Sequence, residues 1–218
     1  MTQPQQRQRP PLFQLAIAGI LILVGVVSGY QLFSHQTEPT IPAEEALRGV
    51  VLPQPIPLTP FQLVDHLGQP FDLERLKGRW SFLFFGYTHC PDVCPLSMSL
   101  LVEMYGHLPA SSQILADTHT YFVSVDPKRD TLAVLKDYVP YFHADFMGVT
   151  GGPEALRGFS KQVHAIYEFS PEVDGEYSVD HSSAFYLIDP EGRFYALFQS
   201  QFHNPEQMAK AYLQIRGG

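Results

Sequence analysis

Hydrophobic and polar positions divide this chain into stretches of different period. The first stretch has no period. Leu12 to Phe33, "LFQLAIAGILILVGVVSGYQLF", is 22 residues without a charged side chain. At ~1.5 Å per residue, a helix of that length measures about 33 Å, which matches a hydrocarbon core of roughly 30 Å. Residues 34–59 follow with Pro39, Pro42, Pro53, Pro55 and Pro57 and little periodicity, so a semi-extended tether is expected there. From residue 60 the texture becomes that of a folded domain. "FQLVDHLGQPFDL" predicts two short strands around a turn at Gly68, and the apolar run "RWSFLFFGY" a strand buried on both faces. Met98, Leu101, Val102 and Tyr105 recur at helical spacing, ended by Gly106 and Pro109.

The alternation continues in the same manner. "TYFVSVD" predicts a second buried strand, and Thr131 to Tyr138 a helix capped by Asp130. "FMGV" predicts a short strand, and Gly151-Gly152-Pro153 opens a helix towards Val163. Residues 168–179 read as an acidic, turn-rich insertion. "SAFYLIDPEGRFYALF" predicts a hairpin, and Asn204 caps a last helix with Met208, Ala211, Tyr212 and Ile215 on its buried stripe. This order predicts an α/β fold: a mixed sheet flanked by helices, thioredoxin-like, with an N-terminal hairpin extension.

Charge changes the picture at the N-terminus. The 218 residues carry a net charge of −8, which excludes a basic nucleic-acid-binding face. Arg7 and Arg9 are the only Lys, Arg, Asp or Glu side chains before Glu38. They flank the apolar stretch on its N-terminal side, so the positive-inside rule places residues 1–11 in the cytoplasm. A cleaved signal peptide would have a shorter apolar region and an Ala-x-Ala-like site, and neither is present. The organisation expected is therefore a tail (1–11), a transmembrane anchor (12–33), a tether (34–59) and an extracytoplasmic domain (60–218). With no organelle-type transit peptide, the membrane expected is a bacterial inner membrane, crossed once, with the domain in the periplasm.

The candidate chemistry lies in "GYTHCPDVCP", which holds both cysteines, Cys90 and Cys94. A thiolate is favoured where a helix begins, and thiolate serves disulfide exchange and metal binding alike. The spacing therefore leaves a redox-active pair and a metal pincer both open. Two thiolates cannot complete a metal site, and no third Cys exists to build a structural zinc site. Of nine histidines, His181 in "VDHSSAFYLID" stands just before the terminal hairpin, where a thioredoxin-like arrangement faces the dithiol. His89 adjoins Cys90 but points away along an extended chain. Met98 lies one turn beyond Cys94, and its place in the apolar stripe favours core packing.

"FFGYTHCPDVCP", "VSVDPKRDT" and "DHSSAFYLIDPEG", in this order behind one anchor, resemble the Sco/SenC family of membrane-anchored, thioredoxin-like copper proteins of cytochrome c oxidase assembly. The resemblance runs from Phe61 to Gly218. It implies that Cys90, Cys94 and His181 bind copper, as Cu(I), Cu(II) or both, and that Asp126 tunes the site. The plainer reading of Asp126 is a turn carboxylate before Pro127. The implied function is that of a metallochaperone rather than an enzyme. It would serve the oxidase subunit that carries the dinuclear copper site, alongside periplasmic copper chaperones or thiol reductants. The alternative is a thiol–disulfide oxidoreductase, with Cys90 and Cys94 as its redox pair, that reduces the cysteines of that subunit.

Overall fold

The structure is a computed structural model that describes residues 50–110, 113–199 and 204–217, together with Leu21, Gly25, Ser28 and Leu47. The chain divides into two compact units, Met1–Pro42 and Ala43–Gly218. Among the described residues no helix is long and apolar enough to cross a membrane. The expected anchor, 12–33, lies outside them apart from Leu21, Gly25 and Ser28, which are helical.

The second unit contains, in order, β1 (Val51–Pro57), β2 (Gln62–Asp65), β3 (Pro70–Asp72), α1 (Leu73–Leu76), β4 (Trp80–Gly86), α2 (Val93–Gly106), α3 (Gln113–Ala116) and β5 (Thr118–Ser124). It continues with α4 (Leu132–Phe142), β6 (Met147–Thr150), α5 (Pro153–Gln162), β7 (Tyr167–Phe169), β8 (Val179–His181), β9 (Phe185–Ile188), β10 (Arg193–Phe198) and α6 (Pro205–Gly217). Eight strands form one mixed sheet in the order β1-β10-β9-β4-β5-β6-β2-β3, while β7 and β8 form a separate two-stranded sheet. Strands β4, β5 and β6 run parallel; β9 lies antiparallel beside β4. This is the thioredoxin-like mixed sheet expected from the sequence.

The apolar run of β4 takes the centre because both its faces are covered. Phe82, Leu83, Phe84 and Phe85 are all fully buried. Phe82 meets Tyr212 of α6 at a ring-centroid distance of 5.0 Å, whereas Phe85 points the other way and meets Phe159 of α5 at 5.9 Å. A strand so placed ends in a fixed position, and that end leads into the cysteine loop.

Two expectations are corrected, and a third takes a definite form. Val51–Pro57 is an edge strand paired with β10, so the expected tether to residue 59 ends earlier. Its alternate prolines lack N–H donors and are tolerated only at an edge, where one side of the strand has no ladder to complete. The turn-rich insertion expected at 168–179 takes the form of a hairpin outside the main sheet, closed by Asp174 (φ 54°) and Gly175 (φ 86°) between Val173 and Glu176. An Asp-Gly pair with both φ values positive is the turn that matches strand twist. Finally, Thr131 caps α4, its side chain accepting from the Val134 amide at 3.3 Å, and Asp130 is occupied elsewhere.

Candidate metal centre

The loop after β4 turns at Gly86 and delivers Cys90; Cys94 is the second residue of α2. A Cβ on Gly86 would lie 2.7 Å from the Cys94 sulfur and 3.0 Å from the Phe122 ring. Only a glycine lets the strand end approach that sulfur so closely. Cys94 is fully buried, Cys90 is half-buried, and both are free thiols. The Cys94 backbone N–H donates to the Cys90 sulfur at 3.5 Å, so the amide of the helix start is spent on Cys90. The expectation that the helix start favours a Cys94 thiolate is thereby corrected. Burial pushes the Cys94 thiol well up, and the backbone dipole of Tyr87 offsets this only in part.

His181 ends β8, paired with Tyr167 across the hairpin. Its Nε2 lies 3.2 Å from the Cys94 sulfur. Its Nδ1–H donates to the Ser182 carbonyl at 3.1 Å, which leaves the Nε2 lone pair facing the sulfur as acceptor of the Cys94 thiol proton. Burial holds the imidazole pKa below its ordinary value, so the ring stays neutral, the form that ligates a metal. The edges of Phe84 and Tyr87 flank it, with ring centroids 5.9 and 6.0 Å away. One ligand atom each from Cys90, Cys94 and His181 lies within 4.8 Å of the other two. Residues 90, 94 and 181, separated by up to 91 positions, thus meet at one point. Two sulfurs and an imidazole suit a soft or borderline cation such as copper.

A family model described as SCO1/SenC matches residues 53–215. The chain belongs to this family. A protein of Stutzerimonas stutzeri named for copper binding is 40% identical over 143 residues, covering 66% of this chain and 69% of that one. The mitochondrial protein SCO2 of Saccharomyces cerevisiae is 37% identical over 159 residues, 72% of this chain. The chain spans 52% of that relative's length. The crystal structure of Arabidopsis thaliana ScoI with copper bound matches with a TM-score of 0.67 and 33% identity, covering 73% of this chain and 98% of that one.

Within the family's fold, the remaining sequence candidates fall outside the trio. His89 has its Nδ1 at 3.2 Å from the Thr88 hydroxyl and 3.7 Å from Asp130, and its side chain is 52% exposed. Met98 is fully buried in the core. Asp126 is also fully buried and engages Arg129 Nε at 2.5 Å and the Tyr177 hydroxyl at 2.8 Å, which removes it from the sulfurs' immediate contacts.

Sequence reasoning missed two groups. Asp130, fully buried, accepts from the Thr88 amide at 2.9 Å, the Thr88 hydroxyl at 2.6 Å and the Ser124 hydroxyl at 2.6 Å. It therefore fixes the loop two residues before Cys90. Tyr177 and Arg129, treated below, were missed as well. The only signal for Arg129 and Asp130 was the dense polar run "DPKRD" directly after a buried strand, and nothing in the sequence singled out Tyr177.

Proposed function

We propose that this protein is a copper metallochaperone for assembly of the dinuclear copper centre of cytochrome c oxidase, with Cys90, Cys94 and His181 as the copper ligands. The convergence of two thiols and one neutral imidazole within 4.8 Å carries the reading. Membership of the SCO1/SenC family and similarity to copper-bound relatives support copper as the cargo. Three donors leave room for a fourth from a partner, and a site open in that way passes its metal on by ligand exchange. Copper is cargo here, so the chain needs no reaction of its own to be useful.

The partner in this reading is the oxidase subunit that carries the dinuclear site. Leu12 to Phe33 anchors the chain in the bacterial inner membrane with the domain on the periplasmic side. Periplasmic copper chaperones or thiol reductants would supply it with copper or electrons.

Replacement of His181 by Ala tests the reading. Copper affinity of the reduced domain is expected to fall by more than the roughly 10–100-fold typical of outer partners of a ligand. The Cys90–Cys94 pair is expected to oxidise as before. Unchanged copper affinity would remove His181 from the ligand set.

One observation favours a second reading, a thiol–disulfide oxidoreductase acting on the oxidase subunit's cysteines. The Cys90 sulfur accepts from the Cys94 amide and belongs to the less buried of the two thiols, which places it to attack a partner's disulfide. An unchanged copper affinity combined with a lost reductase rate in the His181→Ala variant would select this reading.

A further inference from the structure

The β7–β8 hairpin carries His181 but belongs to its own two-stranded sheet, so the ladder of the main sheet does not position it. Something else must. Four residues before His181, the Tyr177 carbonyl accepts from Arg129 Nη1 at 3.0 Å. The Arg129 guanidinium lies over the Tyr177 ring at 3.7 Å from its centroid, and the Tyr177 hydroxyl donates to Asp126 at 2.8 Å. Asp126 in turn accepts from Arg129 Nε. These three residues form a closed ring of contacts between the loop after β5 and the hairpin.

The contacts continue towards the dithiol. The same guanidinium lies 5.4 Å from the Tyr87 ring. Tyr87 in turn presents its edge to the His181 imidazole. Arg129 Nη2 is buried without a hydrogen-bond partner, so the guanidinium is held by Asp126, one carbonyl and two aromatic faces. A half-buried charge boxed in this way fixes the geometry of the groups around it more than it adds stability.

We infer that Arg129, together with Asp126 and Tyr177, is a positioning clamp that holds the histidine-bearing arm against the dithiol. The clamp deepens the copper reading above and rests on it for its consequence, but its structural part stands without metal. Asp126 then acts on the site mechanically, through the arm. The clamp touches neither sulfur, so its loss moves His181 and leaves the dithiol in place.

The experiment uses Arg129→Gln and Tyr177→Phe in the full chain, with Lys161→Gln on an exposed face of α5 as control. In the metal-free, reduced protein, amide hydrogen exchange across residues 178–182 is expected to rise in Arg129→Gln and, less, in Tyr177→Phe. Exchange along β4 and α2 is expected to stay as in the parent, which also shows that the variants fold. With Cu(I) added, affinity should fall about tenfold or more in Arg129→Gln. The Cys90–Cys94 reduction potential should not move. Unchanged exchange over 178–182 in both variants overturns the clamp, whatever copper does. Raised exchange with unchanged affinity, in a protein whose affinity is also indifferent to His181→Ala, keeps the clamp and overturns the copper reading. Raised exchange with unchanged affinity, where His181→Ala does weaken binding, overturns the clamp's role in positioning the ligand.

Discussion

The dithiol loop leaves a central, buried strand of the main sheet, whereas the histidine arm is a short hairpin in a sheet of its own. The loop is tied down by backbone and buried side chains: Gly86 against the Cys94 sulfur, and Asp130 with three donors around Thr88 and Ser124. The arm is held by a ring of side chains over a surface that leaves Ile166 74% and Phe169 41% exposed. Local stability follows burial and hydrogen-bond shielding, so the two halves of one site should open at different free energies. For a carrier this asymmetry is useful. In the proposed site the two sulfurs keep their spacing while His181 can leave first.

The largest expected effect breaks the comparison on the rigid side. Gly86→Ala places a methyl 2.7 Å from the Cys94 sulfur, 3.0 Å from Phe122 and 3.2 Å from Phe84. None of these is the far end of a flexible side chain. Overpacking of this kind costs about 1–3 kcal/mol, and the fixed surroundings place this case near 3. Denaturant unfolding should show the loss. Cys94 should also gain reactivity towards an alkylating agent at pH 8, since in the parent its burial keeps the thiol protonated. A Gly86→Ala protein with parental stability and a silent Cys94 would mean that the strand end is not held as tightly as its packing implies.

A smaller effect comes from Asp130→Asn. The amide keeps the shape, and its NH2 group can donate to the Thr88 hydroxyl, but bonds to an amide are weaker than bonds to a carboxylate, so three buried contacts are weakened. The expected cost is about 2 kcal/mol. Exchange should rise at Thr88 and around Cys90, and the dithiol potential should shift, while the arm's amides at 178–182 remain as protected as before. A response of equal size in the arm would show that the loop and the arm open as one unit, and the contrast between them would fail.

How far this division was legible in the sequence depends on range. The buried strands β4 and β5 and the helix α2 announce themselves through continuous apolar runs and a helical stripe, because burial on both faces leaves no room for polar residues. The trio of Cys90, Cys94 and His181 was reachable because the chain has only two cysteines and His181, alone of nine histidines, stands just before the terminal hairpin, where a thioredoxin-like arrangement and the family resemblance both place a partner for the dithiol. Asp130 was misread as a cap because its partner Thr88 is 42 positions away, and a local pattern cannot show a buried carboxyl group reaching that far. The strands inside the 168–179 insertion were not legible because Glu168, Glu172, Asp174 and Glu176 give it no apolar alternation. What builds it is turn geometry at Asp174-Gly175 and the Arg129 clamp, neither of which leaves a hydrophobic period. The edge strand β1 was hidden by its prolines for a related reason: its pairing comes from β10, not from its own propensity.

The smallest expected effect sharpens the comparison from the arm's far end. Gly175 sits at φ 86° with open space around its Cα, so Gly175→Ala meets no clash and is penalised by backbone conformation alone. A left-handed conformation costs an Ala roughly 1–2 kcal/mol more than a Gly. The bonds it strains first are the pair between Val173 and Glu176, where each amide donates to the other's carbonyl at 2.9 and 3.0 Å. Exchange at these two amides should therefore rise about five- to thirtyfold, the factor that corresponds to this energy. The effect should fade along the hairpin, because Tyr177 and the clamp stand between the turn and His181. Copper affinity should then change by less than about threefold, well below the change expected when Arg129 is replaced. Thiol reactivity of Cys90 and Cys94 should not change at all. If the turn variant weakens copper binding as strongly as Arg129→Gln does, the arm is positioned by its turn rather than by the clamp. If exchange at Val173 and Glu176 does not rise, the left-handed turn is not what closes the hairpin.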